Sequence, residues 1–537
     1  MDTMKEKWLA RAAALTPKLF YDKIQPQRVV RPERQATAFQ GWRMADVESP
    51  EEAYRRLWER DEEIVFDFGR YCVGYLSFIV ETVGNVDCPL WLQVKLGEVP
   101  AEIGEDFLTY QGSLGRGWLQ EETINLEEPH GVIRLARRYA FRYVKFSTRD
   151  NADGYRIRLK DVSCKTVTSA DTGRVLPLPE EIPPSLREID RISLNTLKNC
   201  MQTVFEDGPK RDRRLWLGDL RLQALVNYHS FKNYDLCRRC LYLFAGLSDE
   251  RGIVSSCLYE SPCPRQGESF IYDYTALFAV ILLEYVEATD DQATAAELWP
   301  VAVRQLEIVL NEIDDGGLFH DRGNWWLFID WEKRLDRQAA EQGVVIFGLK
   351  HGVRLARMLG HFAEAEAWEK QVEKMGRAAV EKLWDHRRQC FVSGPEKQVS
   401  WASQIWMTLA GVRPEKLSAQ ALLNVIEDPA AIRPSGPYLY HYAVEALFSG
   451  GMYAAAYALL EKYWGPMVQL GADNFWEVFD PRDQYLSPYG SLLINSYCHA
   501  WSCTPAYFLR RGLPFHHRPE KESASAVRSS AAAVSCG

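Results

Sequence analysis

The pattern of apolar and polar positions changes once along the chain. In residues 61–175, apolar residues alternate with polar ones in short runs such as 64–69, 73–80, 90–94 and 143–146, and turn residues separate the runs. Alternation with a period of two is typical of strands that bury one face. The pattern therefore predicts an antiparallel β-sandwich over 61–175, preceded by an N-terminal extension at 1–60.

A proline-rich linker follows, with Pro177, Pro179, Pro183 and Pro184. Beyond it the apolar period becomes that of an α-helix. We expect about twelve helical segments, at 186–205, 220–231, 236–247, 272–288, 293–313, 339–359, 362–383, 401–409, 419–425, 438–448, 452–463 and 491–509.

Twelve such helices pair naturally into six hairpins. Six hairpins can close into an (α/α)6 barrel over 185–512, whose inter-helix loops line a central depression. An open solenoid is the alternative, but no repeat of fixed period is visible to support it. The fold class is thus multidomain β + α, and the Ser- and Ala-rich residues 513–537 are predicted to be a disordered tail.

Chain length, net charge and cysteine distribution exclude several classes of protein. A chain of 537 residues is long enough for two or more domains, and its net charge of −9 argues against a nucleic-acid partner. Residues 1–25 lack the apolar run of a signal peptide and no later run is long enough to span a membrane, so we predict a cytoplasmic protein without membrane contact. Twelve dispersed cysteines suggest free thiols. We expect no metal or cofactor, and the sequence does not determine the oligomeric state.

Residues 207–219 contain the most unusual chemistry. Leu215 and Leu217 indicate that this segment is partly buried, and buried charges need a ligand or a network of paired charges. The alternative interpretation is a solvated helix N-terminus that an aspartate caps. Carboxylates can bind sugar hydroxyls or move a proton, and an indole can stack on a pyranose. The polar and aromatic residues of this segment are Asp207, Lys210, Arg211, Asp212, Arg213, Arg214, Trp216 and Asp219.

A second carboxylate lies far downstream. Glu477 follows Phe475 and Trp476, an apolar setting for a residue that is seldom buried unless paired. Two carboxyl groups on either side of one glycosidic bond are what most glycoside hydrolases require. The sequence therefore favours a carbohydrate substrate.

The 207–219 segment resembles the signature of the inverting α-L-rhamnosidases of glycoside hydrolase family 78, Asp-x-Pro-x-Arg-Asp-Glu-Arg-x-Gly-Trp-x-Gly-Asp. The resemblance extends over about residues 60–510. It includes the strand at 67–75, the pair Asp330 and Trp331, the general-base segment 475–477, and His499.

One departure from the signature concerns the proton donor. Counted forward from Asp207, the position of the family's catalytic glutamate is occupied by Arg213, which cannot donate a proton at a useful pH. Counted backward from Asp219, the same position is occupied by Asp212. We prefer the backward alignment, because it restores a carboxyl group with a gap of one residue.

The resemblance implies an exo-acting, inverting hydrolase of terminal α-L-rhamnosyl residues, with Asp212 as general acid and Glu477 as general base. Another terminal sugar, or a sugar-binding protein that has lost turnover, are the alternatives. Trp331, Trp476 and His499 could equally be core residues. The implied substrate-binding residues are Asp207, Arg211, Trp216, Asp219, Asp330, Trp331, Trp476 and His499.

Overall fold

The computed structural model describes residues 2–84, 89–127, 131–149, 152 and 154–511, so the predicted disordered tail at 513–537 lies outside the described residues. In the described N-terminal part, nine strands form one antiparallel sheet. The strands are β1 (Phe20–Ile24), β2 (Arg28–Arg34), β3 (Trp42–Glu48), β4 (Glu63–Gly84), β5 (Leu90–Gly97), β6 (Glu121–Leu126), β7 (Val132–Arg134), β8 (Tyr139–Thr148) and β9 (Tyr155–Thr168). Three helices accompany them, α1 (Asp2–Ala14), α2 (Pro50–Ala53) and α3 (Pro100–Gly104).

The long strand β4 folds this sheet into two layers. Its first half pairs with β2 and β8, and its second half pairs with β7 and β9. Phe78 from the second half packs edge-on against Phe146 of β8, with ring centroids 4.8 Å apart. Phe66 from the first half contacts the same ring at 6.0 Å. The predicted β-sandwich is therefore confirmed.

The sheet begins earlier in the chain than the sequence pattern indicated. Strands β1, β2 and β3 lie within the predicted N-terminal extension but pair with β9, β4 and β2 respectively. Strand β3 is at an edge, with no fully buried residue, so its sequence lacks the apolar alternation of an inner strand. Helix α1 belongs to the other domain, where the ammonium of Lys5 donates to the carbonyl of Ser248 at 2.7 Å.

The second domain is helical. Its helices are α4 (Pro184–Cys200), α5 (Leu217–Tyr228), α6 (Tyr234–Gly246), α7 (Tyr272–Thr289), α8 (Gln292–Leu310), α9 (Gln338–Leu359), α10 (Phe362–Leu383), α11 (Trp401–Leu409), α12 (Glu415–Glu427), α13 (Pro437–Ser449), α14 (Tyr453–Gln469) and α15 (Pro505–Arg510). Short strands lie in the loops, β10 (Leu215–Trp216), β11 (Cys257–Tyr259), β12 (Arg265–Gln266), β13 (Trp384–Asp385) and β14 (Cys390–Phe391).

The helices close into a ring. Helices α5, α7, α9, α11 and α13 pack on one another in that order, and the intervening helices pack outside them. The ring closes because α14 packs against α4, while α15 packs against α4 and α5. This closure confirms the predicted (α/α)6 barrel and excludes the open solenoid. None of the described helices is long and apolar enough to cross a membrane.

The last predicted helix, at 491–509, is wrong for most of its length. The structure has 3-10 turns at Leu492–Ile494 and Ala500–Ser502, and only α15 is an α-helix. The carbonyl of Ile494 accepts a hydrogen bond from Arg211 at 3.0 Å, and that of Asn495 accepts one from Lys210. These carbonyls bind the 207–219 segment instead of helical amides, so no continuous helix forms.

Close packing of the inner helices generates a stability prediction at Gly343 of α9. A Cβ atom there would lie 2.6 Å from the backbone of Trp406 in α11, so α9 and α11 would have to separate. We expect Gly343→Ala to lower the free energy of unfolding by about 1–3 kcal/mol, measured by urea denaturation.

The matched control is Gly376→Ala in α10, where a Cβ atom would meet nothing within 4 Å. Higher helix propensity predicts unchanged stability or a gain of up to about 1 kcal/mol. Equal effects of the two substitutions would contradict the account of inner-ring packing.

Candidate active site

A cavity of about 240 Å³ opens among the barrel loops, beside the sandwich. Its lining combines carboxylates, two guanidiniums, an imidazole and indoles. Of the ten residues predicted for the site, those that line it are Asp207, Arg211, Asp212, Trp216, Asp219, Trp331, Glu477 and His499.

Asp207 shapes the loop that carries the predicted acid. Its buried carboxylate accepts hydrogen bonds from the backbone amides of Asp212 at 3.1 Å and Arg214 at 3.0 Å. Burial, followed by the negative charge of Asp212, raises the pKa of Asp207 to about 7. Asp207 thus fixes the backbone on both sides of Arg213 and places Arg211 and Asp212 at the cavity.

Arg211 bridges the two carboxylates predicted to act in catalysis. One terminal nitrogen, Nη2, donates to Oε2 of Glu477, and the other, Nη1, donates to Oδ1 of Asp212 at 3.3 Å. The Nε atom donates to the carbonyl of Ile494 at 3.0 Å. Burial disfavours this charge, but the neighbouring carboxylates outweigh it and raise the pKa of Arg211. Residues 212 and 477 are therefore brought together across one guanidinium.

Glu477 is buried, and both of its carboxylate oxygens accept hydrogen bonds. The hydroxyl of Tyr489 donates to Oε1, and the backbone amide of Ser496 donates to Oε2 at 3.3 Å. Burial raises the pKa of Glu477, Arg211 opposes the shift, and the charge of Asp212 adds to it. The carboxylate is consequently a stronger base than an ordinary glutamate.

One atom of Asp219 and one atom of His499, both on the cavity floor, have no hydrogen-bond partner among the described residues. Nδ1 of His499 and Oδ1 of Asp219 are 3.7 Å apart, beyond hydrogen-bond distance, and neither atom has a partner among the described residues. Burial and the charge of Arg211 lower the pKa of His499 well below its usual range, so the imidazole is neutral. A neutral donor or acceptor beside a free carboxyl oxygen is suited to binding sugar hydroxyls.

Trp216 and Trp331 are half-buried and form apolar walls. The ring of Trp331 lies edge-on to that of Tyr489, with centroids 5.6 Å apart. The two indoles therefore line the same cavity as the polar residues.

Asp330 does not line this cavity, contrary to the prediction. Its Oδ2 atom accepts from the amide and hydroxyl of Ser435, at 2.7 and 3.0 Å, and burial raises its pKa to about 6. Asp330 instead links its own loop to the loop before α13.

Trp476 is also elsewhere, so its predicted role as a wall of this cavity is corrected. It stacks on Phe39 with centroids 4.4 Å apart, at a larger cavity of about 410 Å³ between sandwich and barrel. That cavity contains arginines, but Arg142 is paired with Asp67 at 2.9 Å and with Asp473 at 2.8 Å. We assign the active site to the smaller cavity, because it is the one of the two that Asp212 and Glu477 line.

The sequence analysis missed several lining residues. Tyr489 lies in a loop whose sequence gives no signal for it. Trp118 follows Gly117 in the loop before β6, and Trp326 follows Trp325 in the loop before α9, so both indoles lie in loops between regular elements. Such indoles are a usable sign of a binding surface. Within the described residues, no group of three or more acidic, His or Cys side chains could hold a metal.

Comparison with known proteins identifies the family. Residues 26–166 match the glycosyl hydrolase family 78 alpha-rhamnosidase N-terminal domain, and residues 183–513 match the bacterial alpha-L-rhamnosidase 6 hairpin glycosidase domain. The chain belongs to glycosyl hydrolase family 78. It is therefore a glycoside hydrolase.

Solved structures show the same relationship. A rhamnosidase from Klebsiella oxytoca with rhamnose bound is 43% identical, with a TM-score of 0.92 over 94% of this chain and 98% of that one. The family 78 rhamnosidase of Bacillus sp. GL1 is 23% identical with a TM-score of 0.72, over 87% of this chain and 49% of that one, and shares the fold. A comparison with curated protein sequences gave no match.

In this family 78 hydrolase, the sandwich holds the active-site loop through a buried ion cluster. Lys210, next to Arg211, contacts Glu98 at 2.9 Å and Glu102 at 2.5 Å, and all three side chains are almost fully buried. Burial raises the pKa of Glu102 to about 7, although Lys210 opposes the shift. The sandwich thus fixes the position of the residue beside Arg211.

This cluster generates a second stability prediction. Lys210→Met would leave two buried carboxylates without their cation, and we expect it to lower the free energy of unfolding by about 3–5 kcal/mol. Adding Glu102→Gln should recover part of the loss. Urea denaturation measures both effects.

Lys382→Met is the control, because Lys382 is exposed near the end of α10. Its expected effect is within about 0.5 kcal/mol. A loss for Lys210→Met no larger than the control's would show that the cluster does not hold the domains together.

Proposed function

We propose that this chain is an exo-acting, inverting α-L-rhamnosidase that hydrolyses terminal α-L-rhamnosyl residues of glycosides or oligosaccharides. The observation that carries the proposal is that Asp212 and Glu477 line one cavity and bond to the same guanidinium, that of Arg211. The rhamnose bound in the Klebsiella oxytoca relative supports the choice of sugar. The predicted cytoplasmic location stays a prediction.

The proposed reaction is a single displacement. Asp212 protonates the glycosidic oxygen, while Glu477 takes a proton from a water that attacks the opposite face of the anomeric carbon. Asp219 and His499, whose facing atoms lack protein partners, bind ring hydroxyls. Trp216 and Trp331 cover the apolar side of the sugar, where the methyl group of rhamnose is accommodated.

The test is hydrolysis of a panel of chromogenic p-nitrophenyl glycosides by the purified protein. The proposal predicts release from the α-L-rhamnoside. Turnover of an L-fucoside or a uronide instead would favour another terminal sugar. Binding of rhamnose without any hydrolysis would identify a sugar-binding protein that has lost turnover.

Glu477→Gln should remove the general base while keeping the shape of the site. We expect kcat on the rhamnoside to fall by about 10²–10⁴-fold, with rhamnose binding largely retained. Glu461→Gln, on an exposed position of α14, is the control and should leave kcat unchanged. Near wild-type turnover of Glu477→Gln would remove Glu477 from the base role.

Asp212→Asn tests the acid. A good leaving group needs little protonation, so the variant should lose less kcat/KM on an activated aryl rhamnoside than on a rhamnoside with a poor leaving group. Comparing the two substrates with the same variant controls for any general damage to the protein. Equal losses would mean that Asp212 has a role other than proton donation.

The pH profile follows from the raised pKa of Glu477. The base acts as a carboxylate, so activity is lost as the pH falls through its pKa. Because burial raises that pKa, the acid limb of kcat/KM should have its midpoint above the ordinary glutamate value of about 4.3. A midpoint at or below that value would contradict the assignment.

A further inference from the structure

Burial divides the active-site cavity into a polar floor and an aromatic mouth. On the floor, Asp219 and Glu477 are each 2% exposed and His499 is 4% exposed. The side chain of Asp212 is 16% exposed, and at the mouth Trp326 is 43% exposed. The proposed acid therefore lies between the enclosed floor and the open mouth.

One side of the mouth is built by the sandwich, not the barrel. Leu114 and Trp118, from the loop at residues 107–119, line the same cavity as the proposed catalytic residues and are half-buried. Trp326 and Trp331, from the barrel, line it as well. The two domains together thus supply an aliphatic side chain and three indoles around the opening.

This sandwich loop is held in place. The amide of Ser113 donates to the carbonyl of Tyr489 at 2.8 Å, and the hydroxyl of Tyr110 donates to the carbonyl of Leu114 at 2.8 Å. Phe107 and Leu119 are buried against residues 493–494 of the barrel. Since Tyr489 also bonds to Glu477, the loop is attached to the base by a short chain of contacts.

The chemistry of the mouth differs from that of the floor. A leaving group extends outward from the acid that protonates its oxygen, and so passes between these apolar side chains. Arg214, a charged residue that also lines the cavity, contacts Asp212 at 3.5 Å and lies over the ring of Tyr259 at 4.4 Å. A sugar leaving group needs hydrogen-bond partners for its hydroxyls, whereas a flat aromatic ring is bound by indole faces.

We propose that Leu114, Trp118 and Trp326 form a leaving-group subsite for an aromatic aglycone, so that the substrates are aryl rhamnosides in preference to rhamnosyl sugars. The inference rests on the proposed function. It assigns the sandwich loop a direct part in choosing the substrate.

The test measures binding to the full-length Glu477→Gln variant, because slow turnover removes differences in leaving-group reactivity. Calorimetry should give a Kd for phenyl α-L-rhamnoside about tenfold lower than that for methyl α-L-rhamnoside. Adding Trp118→Ala should weaken phenyl rhamnoside binding by about three- to tenfold and leave methyl rhamnoside within twofold. If Trp118→Ala does not fold, Trp326→Ala removes an indole on the barrel side of the mouth and should have the same effect on the two Kd values.

Leu108→Ala is the matched control, since Leu108 lies on the same loop, is 75% exposed, and is not among the described residues lining the cavity. Equal Kd values for phenyl and methyl rhamnosides, or tighter binding of a rhamnosyl disaccharide than of the phenyl rhamnoside, would overturn the subsite alone. If neither rhamnoside binds and the wild type releases no rhamnose from either, the subsite and the proposed function both fail.

Discussion

The active site depends on the guanidinium of Arg211, which lies between the carboxylates of Asp212 and Glu477. A buried carboxylate is costly to ionise, and the guanidinium opposes that cost at Glu477, the residue that must be a carboxylate to act as a base. The cation is itself fixed by the carbonyl of Ile494. That constraint explains why residues 491–504 are irregular in a barrel otherwise built of helices.

The sandwich is part of this arrangement and not a detached accessory. Its carboxylates Glu98 and Glu102 hold Lys210, the neighbour of Arg211, and its 107–119 loop reaches the cavity mouth. A single chain of polar contacts therefore runs from the sheet, through the 207–219 loop, to the proposed base. We infer that the barrel alone would have neither a fixed catalytic loop nor a complete substrate opening.

Sequence patterns predicted the sandwich and the helical ring, because these follow from the apolar period, whereas His499 and the binding role of Asp219 came from the resemblance to family 78. The predictions from sequence were wrong where contacts with distant parts of the chain determine the local structure. Strand β3 lies at an edge of the sheet, and its sequence has little apolar alternation. The segment around Ile494 has a helical apolar period, but the carbonyl of Ile494 accepts a hydrogen bond from Arg211. Trp476 was predicted to be an apolar wall because it precedes Glu477, but it packs on Phe39 instead. Residues that are adjacent in sequence can face opposite sides of a loop.

The central claim is that Asp212 and Glu477 act from opposite faces of one glycosidic bond, with a water molecule as the nucleophile. The most direct test is proton NMR of the first sugar released from p-nitrophenyl α-L-rhamnoside, recorded before the anomers equilibrate. The account predicts β-L-rhamnose as the initial product, followed by slow appearance of the α anomer. Initial release of α-L-rhamnose would indicate a covalent intermediate and contradict the account.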